Sequence, residues 1–344
     1  MKKAWYDVMR DIFAQSINFK TFAGFSISGI LLFITFRNSG LQLQDLHLSS
    51  TEWFYFIAAI VVFVFATWLQ SFRSKLLWIR GDEALSDIHT YRSLIIGNFY
   101  NCLLPGNLGE GVRAWHFSRK NSKPISNALA GIVTEKWTDA QMFVPVSLVL
   151  LSMKPFVGHY ILYAICFTSL LVVVLTIIYT IMRYNRRAEK SAWQLVLLLK
   201  KTGRFLYRVY YHTNALLSNL KRNKVLLPYL VLCFAFFILN ITQFYFLLKA
   251  AGVQYPVDGI YSAYLTALSI MIIVIVPSAP SNVGVLHYGL YSTLVLAAQQ
   301  YGVHPTAAHL KSYAFFGVLV HLSYFIPEIL LGVVFVVKER ETIF

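Results

Sequence analysis

The chain has 344 residues, with 30 Lys and Arg against 15 Asp and Glu, for a formal net charge of +15. Charged residues make up only 13% and hydrophobic residues 57%, and the mean hydropathy is +0.59. These values exclude an ordinary soluble domain, about a quarter of which is charged. The basic residues sit at the ends of apolar runs and form no nucleic-acid motif, so they read as topology signals and anionic-lipid contacts, with no nucleic acid as partner.

A helix needs roughly 20 apolar residues to cross the hydrocarbon. In chain order six runs qualify: about Phe19 to Phe36, Trp53 to Ile79, Ile125 to Met153, Tyr160 to Met182, Val225 to Ala250 and Leu310 to Val337. The first follows Lys2, Lys3, Arg10 and Lys20 as a signal peptide would, but no small-residue cleavage site closes it, so it reads as a signal anchor. Arg73 and Lys75 close the second. Snorkelling to the inner surface is their simple reading, although Arg73 can also reach a lipid phosphate.

The segment 183–224 is strongly basic against the single acid Glu189, which makes it cytoplasmic. Within it Leu195, Leu198, Leu199, Phe205, Leu206, Val209, Leu216 and Leu220 recur at helical spacing opposite Lys200, Lys201, Arg204 and Arg208, predicting an amphipathic helix on the inner leaflet. The connections near Arg37 to Thr51, Lys154 to His159 and Gly252 to Val257 then fall outside and both termini inside.

Two interrupted pieces remain, Tyr91 to Lys123 and Val257 to Gly302, and they share a phrase: Pro105-Gly106-Asn107-Leu108-Gly109 and Pro280-Ser281-Asn282-Val283-Gly284, the second preceded by Pro277. Proline removes a backbone donor and glycine frees the dihedrals, so each phrase breaks a helix. Such breaks survive at membrane depth only inside protein or beside a water-filled cavity. After the first break come Glu110, Arg113, His116, Arg119 and Lys120, too much charge for a lipid-facing span, so this piece is a re-entrant hairpin. The second is its mirror image from outside, although its arms are apolar enough for full crossings.

The predicted fold is therefore all-α and polytopic: one integral membrane domain over 1–344, with six full spans and two broken re-entrant hairpins. Residues 19–153 form one half and 160–337 the other, which contains the basic connector 183–224. Each half reads as two spans, a broken hairpin and a span, and the second begins on the opposite face, the plan of an inverted-topology repeat. The tips near Gly106 and Ser281 are expected to meet at the midplane.

Several residues carry candidate chemistry, each with a structural alternative. Glu110 and Arg113 share a helical face, where they either form an internal salt bridge or meet a lipid headgroup, with Arg113 on its phosphate. Glu135 and Asp139, four apart, either line a cavity or are neutralised by Lys136. Asn98, Asn101, Asn107, Asn282, Ser278 and Ser281 surround the breaks, where satisfying freed backbone groups is their first expected task. His287 is a proton-relay candidate or a satisfied interior histidine. Lys311 reads as interfacial, and Glu328 either faces a cavity or snorkels.

Cys102, Cys166 and Cys233 are scattered in apolar surroundings and support neither a disulfide framework nor a metal site. No Walker loop, dinucleotide fingerprint, zinc-protease motif or Gly-x-Ser-x-Gly elbow appears, so no cofactor, metal or catalytic residue is assigned.

The run Asn101-Cys102-Leu103-Leu104-Pro105-Gly106-Asn107-Leu108-Gly109-Glu110-Gly111-Val112-Arg113 resembles the signature of the lysylphosphatidylglycerol synthase transmembrane, or flippase-like, family: an Asn, a Leu-Pro-Gly, a Gly-Glu and a following Arg. Glu135-Lys136 with Asp139, the break from Pro277 to Gly284, and Tyr324-Phe325-Ile326-Pro327 with Leu331-Gly332 also fit. The resemblance implies a bacterial or archaeal inner-membrane domain that moves lipids between leaflets. Relatives with an aminoacyl-transferase domain carry it after the membrane part; this chain ends at Phe344, so it is expected not to make aminoacyl lipid. Where relatives commonly place a glutamate after the second break this chain offers His287, and Glu-Arg is here Glu135-Lys136. These departures imply an anionic or neutral lipid, including a polyprenyl-phosphate-linked glycan.

Three readings follow: a lipid flippase or scramblase that is not an enzyme, an integral membrane enzyme acting on a lipid phosphate or glycolipid, and a non-transporting partner of an envelope-biosynthesis enzyme. A homo-oligomer is compatible with each.

Overall fold

Segments dominated by Leu, Ile, Val and Phe, away from water, must close their backbone hydrogen bonds within themselves, which favours helices. In the computed structural model most of the described residues are helical, with no strand among them. These are residues 19–78, 87–153, 170, 173, 174, 176, 201–254, 256, 257, 259–273 and 278–343. They form helices α1 (Phe19–Ser39), α2 (Ser50–Leu77), α3 (Asp87–Leu103), α4 (Gly109–Lys120), α5 (Ile125–Met153), α6 (Lys201–Arg222), α7 (Leu226–Ala250), α8 (Ile260–Ile273), α9 (Val285–Gln300) and α10 (Ala307–Ile343).

Among the described residues, three stretches are long and apolar enough to cross a membrane, Ser50–Leu77, Leu226–Ala250 and Ala307–Lys338. They coincide with the second, fifth and sixth expected spans. Helices α1 and α5, of 21 and 29 residues, occupy the first and third. The fourth expected span, the Leu195 to Leu199 part of the basic connector, Cys166 and Pro277 lie outside the described residues, four positions of that span excepted.

Both proline-glycine phrases fold as short 3-10 turns, Pro105–Asn107 and Pro280–Asn282, with extended residues Leu104 and Ala279 before them. The helices flanking the first are 17 and 12 residues long and those flanking the second 14 and 16, shorter than the roughly 20 that a crossing needs.

The chain divides into two compact units. The first gathers the described residues of Met1–Val61, Asn98–Gly109 and Ile241–Phe344. In it α9 packs against α10, α8 and α1, and the two 3-10 turns pack against each other. Helix α1 latches the second turn: Ser28 Oγ accepts the Ala279 amide at 2.9 Å. Gly284, at φ +82°, lies so close to the Ser28 carbonyl that a side chain there would overlap it. At the α10 start, Lys311 Nζ bridges Asp45 at 3.0 Å, and the Gln42 amide together with Lys311 holds the Asp45 carboxyl below its usual range.

The second unit gathers the described residues of Val62–Gly97 and Glu110–Asn240. Its core joins Leu77, Trp78, Phe117, Leu216, Leu220, Tyr229 and Cys233. Trp78 and Phe117 are 4.9 Å apart between ring centroids, and Gly131 leaves the space the Trp78 indole needs. Helix α6 is the described part of the helix expected in the connector. Helix α6 packs on α5, with Leu216 and Leu220 in the protein core. Its apolar face thus finds protein, with a denser set of contacts than lipid tails supply. Phe205, Tyr207 and Tyr211, nearer its start, are exposed.

Gly284→Ala combines a positive φ with the Ser28 overlap and is expected to cost about 1–3 kcal/mol. Gly29→Ala, where a Cβ meets nothing within 4 Å, is expected to be close to neutral. Thermal unfolding of the two variants in detergent measures the difference.

Candidate functional site

The tips of the two breaks use backbone conformations that L-residues seldom adopt. Asn107, Ser281 and Asn282 have φ of 57°, 56° and 55°. Short polar side chains tolerate this region best, which accounts for Asn and Ser at these places. Within the second turn, Ser278 Oγ donates to Asn282 Oδ1 and the Asn282 amide donates to the Ala279 carbonyl.

Where the turns meet, the first unit encloses a cavity of about 170 Å³. Helix α3 contributes Asn101 and Cys102, the two turns Asn107, Ser281 and Asn282, and α10 Tyr324 and Glu328, which are four apart and share a face. Ile270, Ile273 and Leu286 supply apolar wall. The Cys102 thiol donates to Glu328 Oε2 at 3.1 Å. Asn101 Oδ1 is buried and carries no hydrogen bond, and Ser281 Oγ lies buried beside the Cys102 thiol. Asn101 Oδ1 thus takes up no freed backbone amide, the task expected of it.

Next to the second turn, the Gly284 amide donates to His287 Nδ1 at 3.4 Å. The His287 ring lies 5.3 Å from that of His321, which in turn lies 5.5 Å from Tyr324. His287 therefore tethers the start of α9.

The charged residues of α4 and α5 gather in the second unit. Arg73 grips both oxygens of Asp139, with Nη2 at 3.1 Å from Oδ2, and its guanidinium stands 5.0 Å from the Phe236 ring centroid. Arg113 Nη2 donates to the two Glu135 oxygens at 3.0 and 2.8 Å and to Ser74 Oγ at 3.1 Å. Glu110 lies 3.6 Å from Arg113 Nη1 and 3.0 Å from Lys136 Nζ. Three cations and three carboxylates neutralise one another. The hollow beside Arg113, Glu135 and Ser74 is about 10 Å³, space for about one water.

The structure thus separates the sequence-derived candidates. Arg73, Glu110, Arg113, Glu135 and Asp139 belong to the ion cluster, whereas Asn101, Asn107, Ser281, Asn282 and Glu328 surround the cavity. Snorkelling of Arg73 is corrected: its side chain is fully buried, because a bidentate carboxylate meets it inside. Lys75 reaches Asp87 at 2.7 Å. Of the two readings of Glu328, the cavity is where it lies. Cys102, expected in apolar surroundings, faces the polar cavity instead. Sequence reasoning assigned no site role to Ser74, to Cys102 or to Tyr324, although Tyr324 lies in the Tyr324-Phe325-Ile326-Pro327 run, four residues before Glu328.

Asp139→Asn leaves the Arg73 guanidinium enclosed opposite a neutral amide and is expected to cost roughly 3 kcal/mol, most of it recovered in the double substitution Arg73→Met with Asp139→Leu. Denaturation of the purified protein, followed by tryptophan fluorescence, checks both.

No curated protein and no solved structure matches the chain. Residues 21–332 match the family model described as the lysylphosphatidylglycerol synthase TM region. The chain belongs to that family, and with it to integral membrane proteins linked to lipid metabolism or transport.

Proposed function

We propose that the protein is a lipid transporter, a flippase or scramblase, in which a headgroup passes between leaflets through the cavity at the two breaks while the acyl chains trail in the bilayer. The observation that carries this reading is the pair of helix breaks packed tip to tip around a polar cavity in a chain this apolar. A pair of interrupted hydrophobic segments in corresponding places is the sequence mark of a transporter site. Partial desolvation of a headgroup is costly unless polar groups replace its water, and amides, hydroxyls and a carboxylate at the cavity do so.

In this reading the fold is an inverted-topology repeat of six spans and two re-entrant hairpins in a bacterial or archaeal inner membrane, with both termini cytoplasmic. No bond is made or broken, so the protein is not an enzyme. The ion cluster serves as a scaffold: it fixes α2, α4 and α5 to one another by paired charges that a headgroup need not displace.

The test is translocation of fluorescent-headgroup lipids in liposomes holding the purified protein, read with a membrane-impermeant quencher. Exchange above empty liposomes is expected, falling at least about tenfold in Asn101→Leu, which removes a headgroup hydrogen bond. No exchange above empty liposomes, across neutral, anionic and polyprenyl lipids, would move the function to an enzyme or to a partner of one.

A further inference from the structure

The cavity between the two turns has a chemical bias that the transport reading does not use. Among the described residues no Lys, Arg or His lines it, and its wall includes the Glu328 carboxylate. A phosphate placed there would lose its hydration opposite a carboxylate with no cation on the wall to answer it. The Gly284 amide at the start of α9, the kind of donor an anion seeks, is already engaged by His287 Nδ1 at 3.4 Å.

What the wall does offer is hydrogen bonding of both kinds. Asn101 Oδ1 is buried and accepts nothing, and Ser281, 8% exposed, has its buried Oγ beside the Cys102 thiol. A buried oxygen without a partner is costly, so Asn101 Oδ1 marks a place where a ligand donor fits, and the Ser281 hydroxyl, with two lone pairs, has room to accept as well. The amide groups of Asn101 and Asn282 also carry N–H donors. An ammonium donates and cannot accept. A hydroxyl does both, and several on one rigid ring or chain answer several amides together. The volume of about 170 Å³ equals some five or six water volumes, enough for one small polyol or sugar unit and too little for acyl chains.

We propose that this cavity is a binding site for an uncharged, hydroxyl-rich headgroup, a sugar or polyol unit carried on a lipid, and not for a phosphate or an ammonium. The inference rests on the transport reading only in taking the carrier to be a lipid. Asn101 and Ser281 accept from ligand hydroxyls, the asparagine amides donate to them, and Glu328 accepts from a hydroxyl on the α10 side. If the lipid also bears a phosphate, that group stays outside this cavity.

Equilibrium binding to the protein in nanodiscs tests it, with four short-chain probes: dioctanoyl monoglucosyl diacylglycerol, dioctanoyl phosphatidic acid, dioctanoyl phosphatidylethanolamine and dioctanoylglycerol. The glucosyl lipid is expected to bind at least about tenfold more tightly than the other three, a difference of one or two well-made buried hydrogen bonds. Asn101→Leu is expected to remove that preference. Ser281→Gly, which removes the hydroxyl and suits the positive φ there, is expected to reduce it while leaving the gel-filtration profile and melting temperature unaltered, which covers misfolding of the first variant. Equal binding of all four probes, tighter binding of the phosphate or ammonium lipid, or no binding at all overturns the assignment. The readout needs no translocation: glucosyl-lipid binding without lipid exchange keeps the site and removes the transporter, whereas exchange with a phosphatidic acid preference keeps the transporter and removes the sugar site.

Discussion

Backbone amides and carbonyls cannot go unpaired in hydrocarbon, and the rest of this structure follows from how the chain meets that demand where its helices break. At Pro105–Asn107 and Pro280–Asn282 the helical ladder stops. The breaks are tolerable because each turn packs on the other, and because Ser28 and His287 take up amides of Ala279 and Gly284. The turns are thereby packed and hydrogen-bonded, with a hollow between them. A lattice of polar groups with fixed positions in apolar surroundings is what selective recognition of a headgroup requires.

The second unit meets a related demand differently. It buries Arg73 and Arg113 and compensates both with carboxylates in close geometry, so that charge is conserved within the cluster. Buried pairs of this kind contribute little net stability compared with an apolar core, yet removing one partner is costly. Their effect is to specify which helices lie together: Arg73 can satisfy its fork only if α2 and α5 are in register, and Arg113 only if α4 reaches Glu135. The cluster therefore acts on the fold's uniqueness more than on its free energy.

Much of the fold was legible in the chain. Apolar runs marked Ser50–Leu77, Leu226–Ala250 and Ala307–Lys338 because helix length and hydrocarbon thickness are tied by geometry alone. The breaks were legible because Pro and Gly act locally. The amphipathic character of α6 was legible too, but not its partner, since periodicity says that a face is apolar and not whether protein or lipid covers it. Among the candidate residues, Glu110 and Arg113 were paired correctly from their spacing on one helix, while Arg113 with Glu135 and Arg73 with Asp139 are contacts between helices far apart in the chain. Sequence spacing carries no information on such pairs.

The sequence by itself determined that this is an integral membrane protein, where its helices break and which polar residues stand near the breaks, because hydropathy, proline and glycine act through local physics. Only the tertiary structure decided that the ion-cluster residues neutralise one another in one unit while the uncharged amides and hydroxyls, with the Glu328 carboxylate, surround the cavity in the other. That division depends on which helix faces which, and helix pairing is set by packing and by buried charge seeking its partner across long stretches of chain.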